Sequence, residues 1–328
     1  MKTMKIMIIS MQDPERLKAK IQNSLQLGTP IWIKGEDPKQ LCKFELEKAV
    51  STCFANYGPK ATICCAMSHL KAWKEFLKNT SKDDNYGIIL EEDVVFVKGF
   101  KKRLSKVLKY IPKDVDVMYL GEFGGTTKSN FFTSIMQLFG NVNKKHKLHI
   151  NKYIHIPKVA LGAHAYIVSK KGAKKLISYL EGNVNFHIDY CIQDLAAKGL
   201  INCYSLKKRI AYQTSTDHNL NNKASLNIGS NRPLIISRIF SNIYLDEMIT
   251  ASYIWSVSVG RIGDLVISTS MLVILTFGII LHKVNAKWLL GIVLLLLMED
   301  LLQIRTIDDM CYINMYCFLF VTPALLLN

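Results

Sequence analysis

Short apolar runs alternate with amphipathic segments over the first two thirds of the chain. Residues 5–10, 30–34, 86–90, 116–120, 159–168 and 201–206 are apolar and rich in β-branched or aromatic side chains, which predicts strands. Between them, apolar positions recur at helical spacing in residues 14–27 (closed by Gly28), 61–78, 100–111, 169–180 and 189–198 (ended by Gly199). In 61–78 the inward face is Ile63, Ala66, Met67, Leu70, Trp73 and Leu77. In 100–111, Phe100, Leu104, Val107, Leu108 and Ile111 form one stripe, and lysines with Arg103 fill the rest. That basic back is a solvated helix face first and a contact for anionic lipid second. Ser169 is placed to cap the helix that follows it. Residues 126–156 follow no regular period, as an insertion on one face would. Strands alternating with helices, with no internal repeat, predict an α/β fold whose mostly parallel sheet is covered on both sides.

The pattern changes near Arg261. Residues 262–282 are nearly all apolar and long enough to cross a hydrocarbon core as a helix. Two shorter apolar stretches follow. Residues 287–304 contain Glu299 and Asp300, and residues 311–327 contain Pro323, so they are either further spans or a re-entrant hairpin. The organisation expected is therefore a domain over 1–230, a linker over 231–260, and a helical transmembrane region over 261–328. Met4 to Met11 is too brief for a signal peptide and runs into Asp13-Pro14-Glu15-Arg16. The protein is accordingly expected in a membrane, multi-pass or tail-anchored at its C-terminal region, with the preceding domain in the cytosol.

Charge sharpens this division. Of 42 basic and 26 acidic residues, only four and five lie beyond position 260, which leaves 38 and 21 before it, a net +17. Such a domain favours anionic partners such as nucleotide diphosphates and lipid headgroups. Nucleic acid is not expected, because the basic residues are scattered over helix backs without interleaved aromatics. Eight cysteines show no C-x-x-C spacing, so neither a zinc knuckle nor a disulfide framework is indicated, and reduced core thiols are expected.

Chemistry concentrates where the apolar run 86–90 meets Glu91-Glu92-Asp93. Carboxylates at the C-terminal end of a sheet strand stand where open α/β sheets bind ligands. On an extended backbone Glu91 and Asp93 share a side and Glu92 takes the other, so an E-x-D pair presents two hard oxygens to one cation. The alternative is a solvated acidic strand end.

Several segments, taken in order, resemble glycosyltransferase family 25, which includes lipooligosaccharide and collagen galactosyltransferases. They are Ile6-Met7-Ile8-Ile9-Ser10 with Glu15-Arg16, then Ala66-Met67-Ser68-His69-Leu70, then Ile89-Leu90-Glu91-Glu92-Asp93-Val94. Gly162-Ala163-His164-Ala165-Tyr166-Ile167-Val168-Ser169 with Gly172-Ala173, Ile188-Asp189 and Tyr212-Gln213 complete the series. It spans about 210 residues, and its force lies in order and spacing. The family's acidic motif usually has Asp in the middle, where this chain has Glu92. An extra methylene moves that carboxylate by roughly 1.5 Å, which matters only if the middle residue touches nucleotide or metal.

The resemblance implies a GT-A type fold, a nucleotide-sugar donor and inverting transfer, most simply of galactose from UDP-galactose. The acceptor would be a glycan, a glycolipid or other lipid-linked glycan, or a protein hydroxyl. Mn²⁺ or Mg²⁺ suits the oxygen-rich site, with Glu91 and Asp93 as ligands and His187 as a third ligand or a polar loop residue. Asp189 is the first candidate for the base and Glu122 the second; Asp189 otherwise caps its helix. Arg16, Ser68, His69, Glu92 and His164 are the donor-binding candidates. For His69 and His164 the competing reading is a satisfied structural histidine, and for Arg16 a surface ion pair. The rival function is a catalytically weakened domain kept as a membrane-associated binding or assembly module.

Overall fold

The computed structural model describes residues 4–11, 30–37, 40, 42–57, 60–81, 85–122, 137, 140–147, 149–213, 258–262, 265–268, 276 and 280. Its strands are β1 (Lys5–Ser10), β2 (Ile31–Lys34), β3 (Tyr86–Glu91), β4 (Val94–Phe96), β5 (Val117–Tyr119), β6 (Ile154–His155), β7 (Ala165–Ser169), β8 (Cys203–Leu206) and β9 (Ala211–Gln213). The helices are α1 (Lys43–Ala49), α2 (Thr52–Tyr57), α3 (Lys60–Asn79), α4 (Phe100–Leu108), α5 (Lys170–Leu180) and α6 (Ile188–Ala197).

Seven strands form one sheet in the order β2-β1-β3-β7-β5-β8-β6. β1 pairs in parallel with β2 and β3, and β5 with β8, whereas β7 is antiparallel to both β3 and β5, and β6 to β8. Strands β2, β1, β3, β5 and β8 therefore point one way, with β7 reversed among them. The sheet is mixed, not mostly parallel as expected. β6 runs the same way as β7, and β7 takes antiparallel ladders on both sides, a pairing that satisfies the backbone groups at least as well as a parallel one. Residues 159–164, expected in the β7 strand, instead cross the edge where β3 ends.

Side chains alternate between two buried faces, as period-two strands require. Met7, Ile9, Ile89, Tyr166, Val168, Val117, Tyr119 and Cys203 join the core under α3, α5 and α6. Ile6, Ile8, Ile88, Leu90, Ala165, Ile167, Met118, Tyr204 and Leu206 join the core under α4 and the β4–β9 ribbon. Trp73 and Phe76 of α3 are fully buried, and burying such side chains contributes about 1.5–3 kcal/mol each. Helix α5 begins as its sequence dictates, with Ser169 Oγ accepting the Gly172 N–H. Its third residue must be glycine, because a Cβ there would meet the Asp116 carbonyl oxygen at 2.2 Å. Helix α6 stops at Gly199, whose φ of 75° suits glycine.

The expected helix 14–27 and most of 214–328 lie outside the described residues, as do most of the linker and the three proposed spans. At the start of the first span the structure differs from a helix: Ser258–Ile262 (β10) pairs antiparallel with Leu265–Ser268 (β11). Val259, Ile262, Val266 and Ile267 are β-branched and favour the extended state. Among the described residues no helix is long and apolar enough to cross a membrane.

Candidate functional site

Because β1, β3 and β5 run in the same direction, Ser10, Glu91 and Leu120-Gly121-Glu122 reach one edge of the sheet. Strand β3 ends on Glu91, and Glu92-Asp93 form a tight turn into β4. The acidic triplet is thus a strand end plus a turn, and not three extended residues. Glu92 spends Oε2 inside the fold, accepting Ser10 Oγ–H at 2.6 Å and Met11 N–H at 3.1 Å. It ties the end of β3 to the end of β1.

Glu91 is held from three sides. Its N–H donates to the His164 carbonyl at 2.9 Å. Its Oε2 accepts from Gln213 Nε2 at 3.2 Å, and its Oε1 lies 3.0 Å from His69 Nε2. His69 is fully buried, with Nδ1 3.0 Å from the Tyr166 hydroxyl, which accepts Trp73 Nε1–H at 2.8 Å. An indole N–H can only donate, so the Tyr166 proton is left for His69 Nδ1. That order assigns the Nε2–H tautomer, a donor to Glu91. Burial pushes the Glu91 pKa up, but the His69 hydrogen bond and the positive ends of His69 and His164 outweigh it and hold it below the usual value. The ionised carboxylate is therefore the resting form.

Asp189 comes to the same edge from the start of α6. The N-cap position is His187, not Asp189. Asp189 is buried, its Oδ2 accepting Gly162 N–H and its Oδ1 accepting Tyr190 N–H, both at 2.8 Å. Burial raises its pKa and Glu91 raises it further, against the opposing pull of His187 and the two backbone donors. His187 packs edge-on to Phe186 with ring centroids 4.9 Å apart, and burial lowers its pKa. Cys65 reports the convergence: burial lifts its thiol pKa well above the ordinary value, and Glu91, Asp189 and Asp93 add to the rise in that order. Of the three carboxylates Glu91 is the one in contact, its Oε1 4.0 Å from Cys65 Sγ. Cys65 is an exposed residue, which corrects the expectation of core thiols for it and for Cys42. Glu122 is buried three residues after Tyr119, whose pKa is raised by burial first and then by charges that include Asp189 and Glu122.

The donor-binding candidates divide. Ser68 is buried, donating to the Cys64 carbonyl at 2.7 Å and accepting Glu36 N–H at 2.9 Å, so it joins α3 to the exit of β2. His69 uses both ring nitrogens on Tyr166 and Glu91. His164 is buried against Gly121, where a Cβ would stand 2.8 Å from its Nε2 and 2.1 Å from the Ala211 carbonyl oxygen. Burial depresses its pKa to about 4, so it is neutral near pH 7. Arg16 lies outside the described residues. Tyr166, Trp73, Ser10 and Cys65 escaped the sequence as site residues. Only Cys65 carried a legible signal, the one-turn spacing to His69 on α3.

Two ligand sets suggest themselves for a metal. Cys65 Sγ, His69 Nε2 and a Glu91 oxygen lie within 4.8 Å of one another. In the tautomer assigned above His69 Nε2 carries the hydrogen given to Glu91, so the Glu91 carboxylate is the ready hard donor of that set. The other set is Glu91 with Asp93, two residues on in the turn, and an ionised carboxylate accepts at more sites than His69 and Gln213 fill on Glu91.

Residues 4–192 match glycosyltransferase family 25, described as an LPS biosynthesis protein family. The chain is 26% identical over 178 residues to the procollagen lysyl hydroxylase and glycosyltransferase of Acanthamoeba polyphaga mimivirus. That match covers 51% of this chain and 18% of the relative, so the chain spans under a fifth of that protein's length. A crystal structure of mouse xyloside xylosyltransferase 1 in its apo form superposes with a TM-score of 0.30 at 9% identity, covering 60% of this chain and 81% of the other.

Proposed function

Since the chain belongs to glycosyltransferase family 25 and is a glycosyltransferase, we propose that it is a metal-dependent, inverting hexosyltransferase. The observation that carries this reading is that residues 162–164 hold two carboxylate-bearing residues at one sheet edge, Asp189 accepting Gly162 N–H at 2.8 Å and Glu91 donating its N–H to the His164 carbonyl at 2.9 Å. The donor is a nucleotide sugar, UDP-galactose on the family resemblance. The acceptor is a hydroxyl of a glycan, a lipid-linked glycan or a protein; the names of the family and of the viral relative point to the last two. The apolar stretches beyond Arg261 attach the enzyme to a membrane.

Glu91 and Asp93 would hold Mn²⁺ or Mg²⁺, which supplies positive charge for the leaving diphosphate. The buried His69–Tyr166–Trp73 chain keeps Glu91 ionised and fixes its orientation. Asp189 is the base. The acceptor oxygen forms a bond to the anomeric carbon as the bond to the diphosphate oxygen breaks, and the acceptor proton passes to the Asp189 carboxylate. Its raised pKa suits that role, and its two backbone donors orient it. Glu92 acts indirectly by bracing the turn against β1, so a Glu in place of Asp is accommodated by the Ser10 and Met11 contacts. That arrangement weighs against a weakened binding module.

The test is turnover of a panel of nucleotide sugars by the full chain in detergent, with Mn²⁺ and then with chelator. Metal-dependent release of UDP from one donor supports the reading. A folded protein silent across the panel overturns it.

A further inference from the structure

The two faces of the sheet treat their lysines differently. Beneath α3, α5 and α6 several lysines meet acids, Lys71 with Glu36 at 3.0 Å, Lys74 with Glu181, Lys175 with Asp116 at 2.6 Å and Lys198 with Asp194 at 2.6 Å, while exposed Lys171 and Lys174 do not among the described residues. On the other face, residues 98–113 hold seven basic side chains and no acid, so the segment cannot neutralise itself. Lys101, Lys102, Arg103 and Lys106 of α4 and Lys109 at its C-cap are exposed, and among the described residues none of them forms an ion pair. Phe100, Leu104 and Val107 are buried in the core and lock the helix so that this side faces out. Gly99, Lys101, Lys102, Ser105, Lys106 and Lys109 line a shallow open recess.

The positive surface continues past the helix. Val97 N–H donates to the Ile210 carbonyl, which brings exposed Lys208 and half-buried Arg209 beside Lys98. At the other end, exposed Lys152 lies over the rings of Tyr110 and Tyr153, at 5.2 and 4.9 Å. Tyr110 is itself exposed. A solvated surface ordinarily intersperses both signs. A broad cationic band with an amphipathic aromatic at its rim matches an anionic interface. β9, on the same face as α4, ends at Gln213 opposite Val94, at the end of β4 away from α4. The apolar stretches beyond Arg261 follow from there in sequence.

We propose that the basic face centred on α4 docks on the headgroups of an anionic lipid bilayer. Each lysine brought within a Debye length of such a surface strengthens attachment about fivefold. Docking there sets the orientation of the domain, independently of how the C-terminal stretches engage the lipid.

The test uses the full chain incorporated into vesicles of phosphatidylcholine alone or mixed with phosphatidylglycerol. Surface lysines are labelled with an amine-reactive reagent and quantified by mass spectrometry. Lys101, Lys102, Lys106 and Lys109 are expected to be protected severalfold in the anionic vesicles only, and to regain labelling at high salt. Exposed Lys171 and Lys174 on α5, beneath the opposite face, should label equally in both. With Lys101, Lys102, Lys106 and Lys109 all changed to Glu, protection of Lys98 should vanish while α5 labels as before. Equal labelling of α4 in both vesicles overturns the proposal. So does protection of α4 by added RNA but not by anionic lipid.

Discussion

The hydroxyl of Tyr166 is the joint between the hydrophobic core and the acidic site, and removing it tests the reasoning with one atom. Tyr166→Phe keeps the ring and its packing but deletes the acceptor of Trp73 Nε1–H (2.8 Å) and the donor to His69 Nδ1 (3.0 Å). Trp73, His69 and Tyr166 are all fully buried, so water does not replace the lost partner. A buried polar group left unsatisfied costs about 1–3 kcal/mol. Two such groups give a loss of about 2–6 kcal/mol, or about 10 °C in Tm for a domain near this size. Tyr119→Phe is the internal standard. Its hydroxyl is equally buried, but among the described residues it has no hydrogen-bond partner, so its removal is expected to be neutral or slightly stabilising. Tryptophan fluorescence followed through a denaturant titration measures both variants. In transfer assays Tyr166→Phe should also lower kcat, because His69 is no longer bound to the tautomer that donates to Glu91. A Tyr166→Phe variant as stable as Tyr119→Phe would refute the proton order assigned to this chain.

Further consequences follow from the same geometry. Asp189 must be ionised to accept a proton and its pKa is raised, so kcat/KM should rise with pH along a limb above the ordinary carboxylate range, and Asp189→Asn should abolish transfer; a limb at the ordinary value removes Asp189 from the role. His164 is buried and neutral with a pKa of about 4 against about 6.5 unfolded, so the unfolded state binds the extra proton between those values. Stability should accordingly fall by about 3 kcal/mol as pH drops from 6.5 to 4, and His164→Gln should flatten that slope in urea titrations. Lys175 Nζ donates to the fully buried Asp116 at 2.6 Å, so Lys175→Ala should cost about 3 kcal/mol by leaving a buried carboxylate, held otherwise by Asn202 N–H, without its cation. A loss below about 1 kcal/mol would show that solvent reaches Asp116.

What the sequence revealed was local. Ser169, Gly199 and the stripe Ile63, Ala66, Leu70, Trp73 each fix a structure within a few residues, and each sits where the periodicity put it. The direction of β7 was not legible, because a strand's own composition does not encode which way it runs between its neighbours. The acidic triplet announced itself, but its division of labour did not. Glu92 faces Ser10 across 82 residues of sequence, and His69 meets Tyr166 across 97. Tyr166 and Trp73 looked like core, and they are core; their polar tips matter only because the fold aligns them. Cys65 was hidden in an apparently apolar stretch of helix, where only its spacing to His69 distinguished it.

The central claim is that Glu91 and Asp93 hold a divalent cation beneath a nucleotide diphosphate while Glu92 only braces the turn. Calorimetric titration of UDP into the full-length protein, with Mn²⁺ and with chelator, tests it when repeated on Asp93→Asn and Glu92→Gln. The account predicts binding that requires Mn²⁺, disappears in Asp93→Asn and survives in Glu92→Gln. Binding indifferent to metal, or lost in Glu92→Gln and kept in Asp93→Asn, would contradict it.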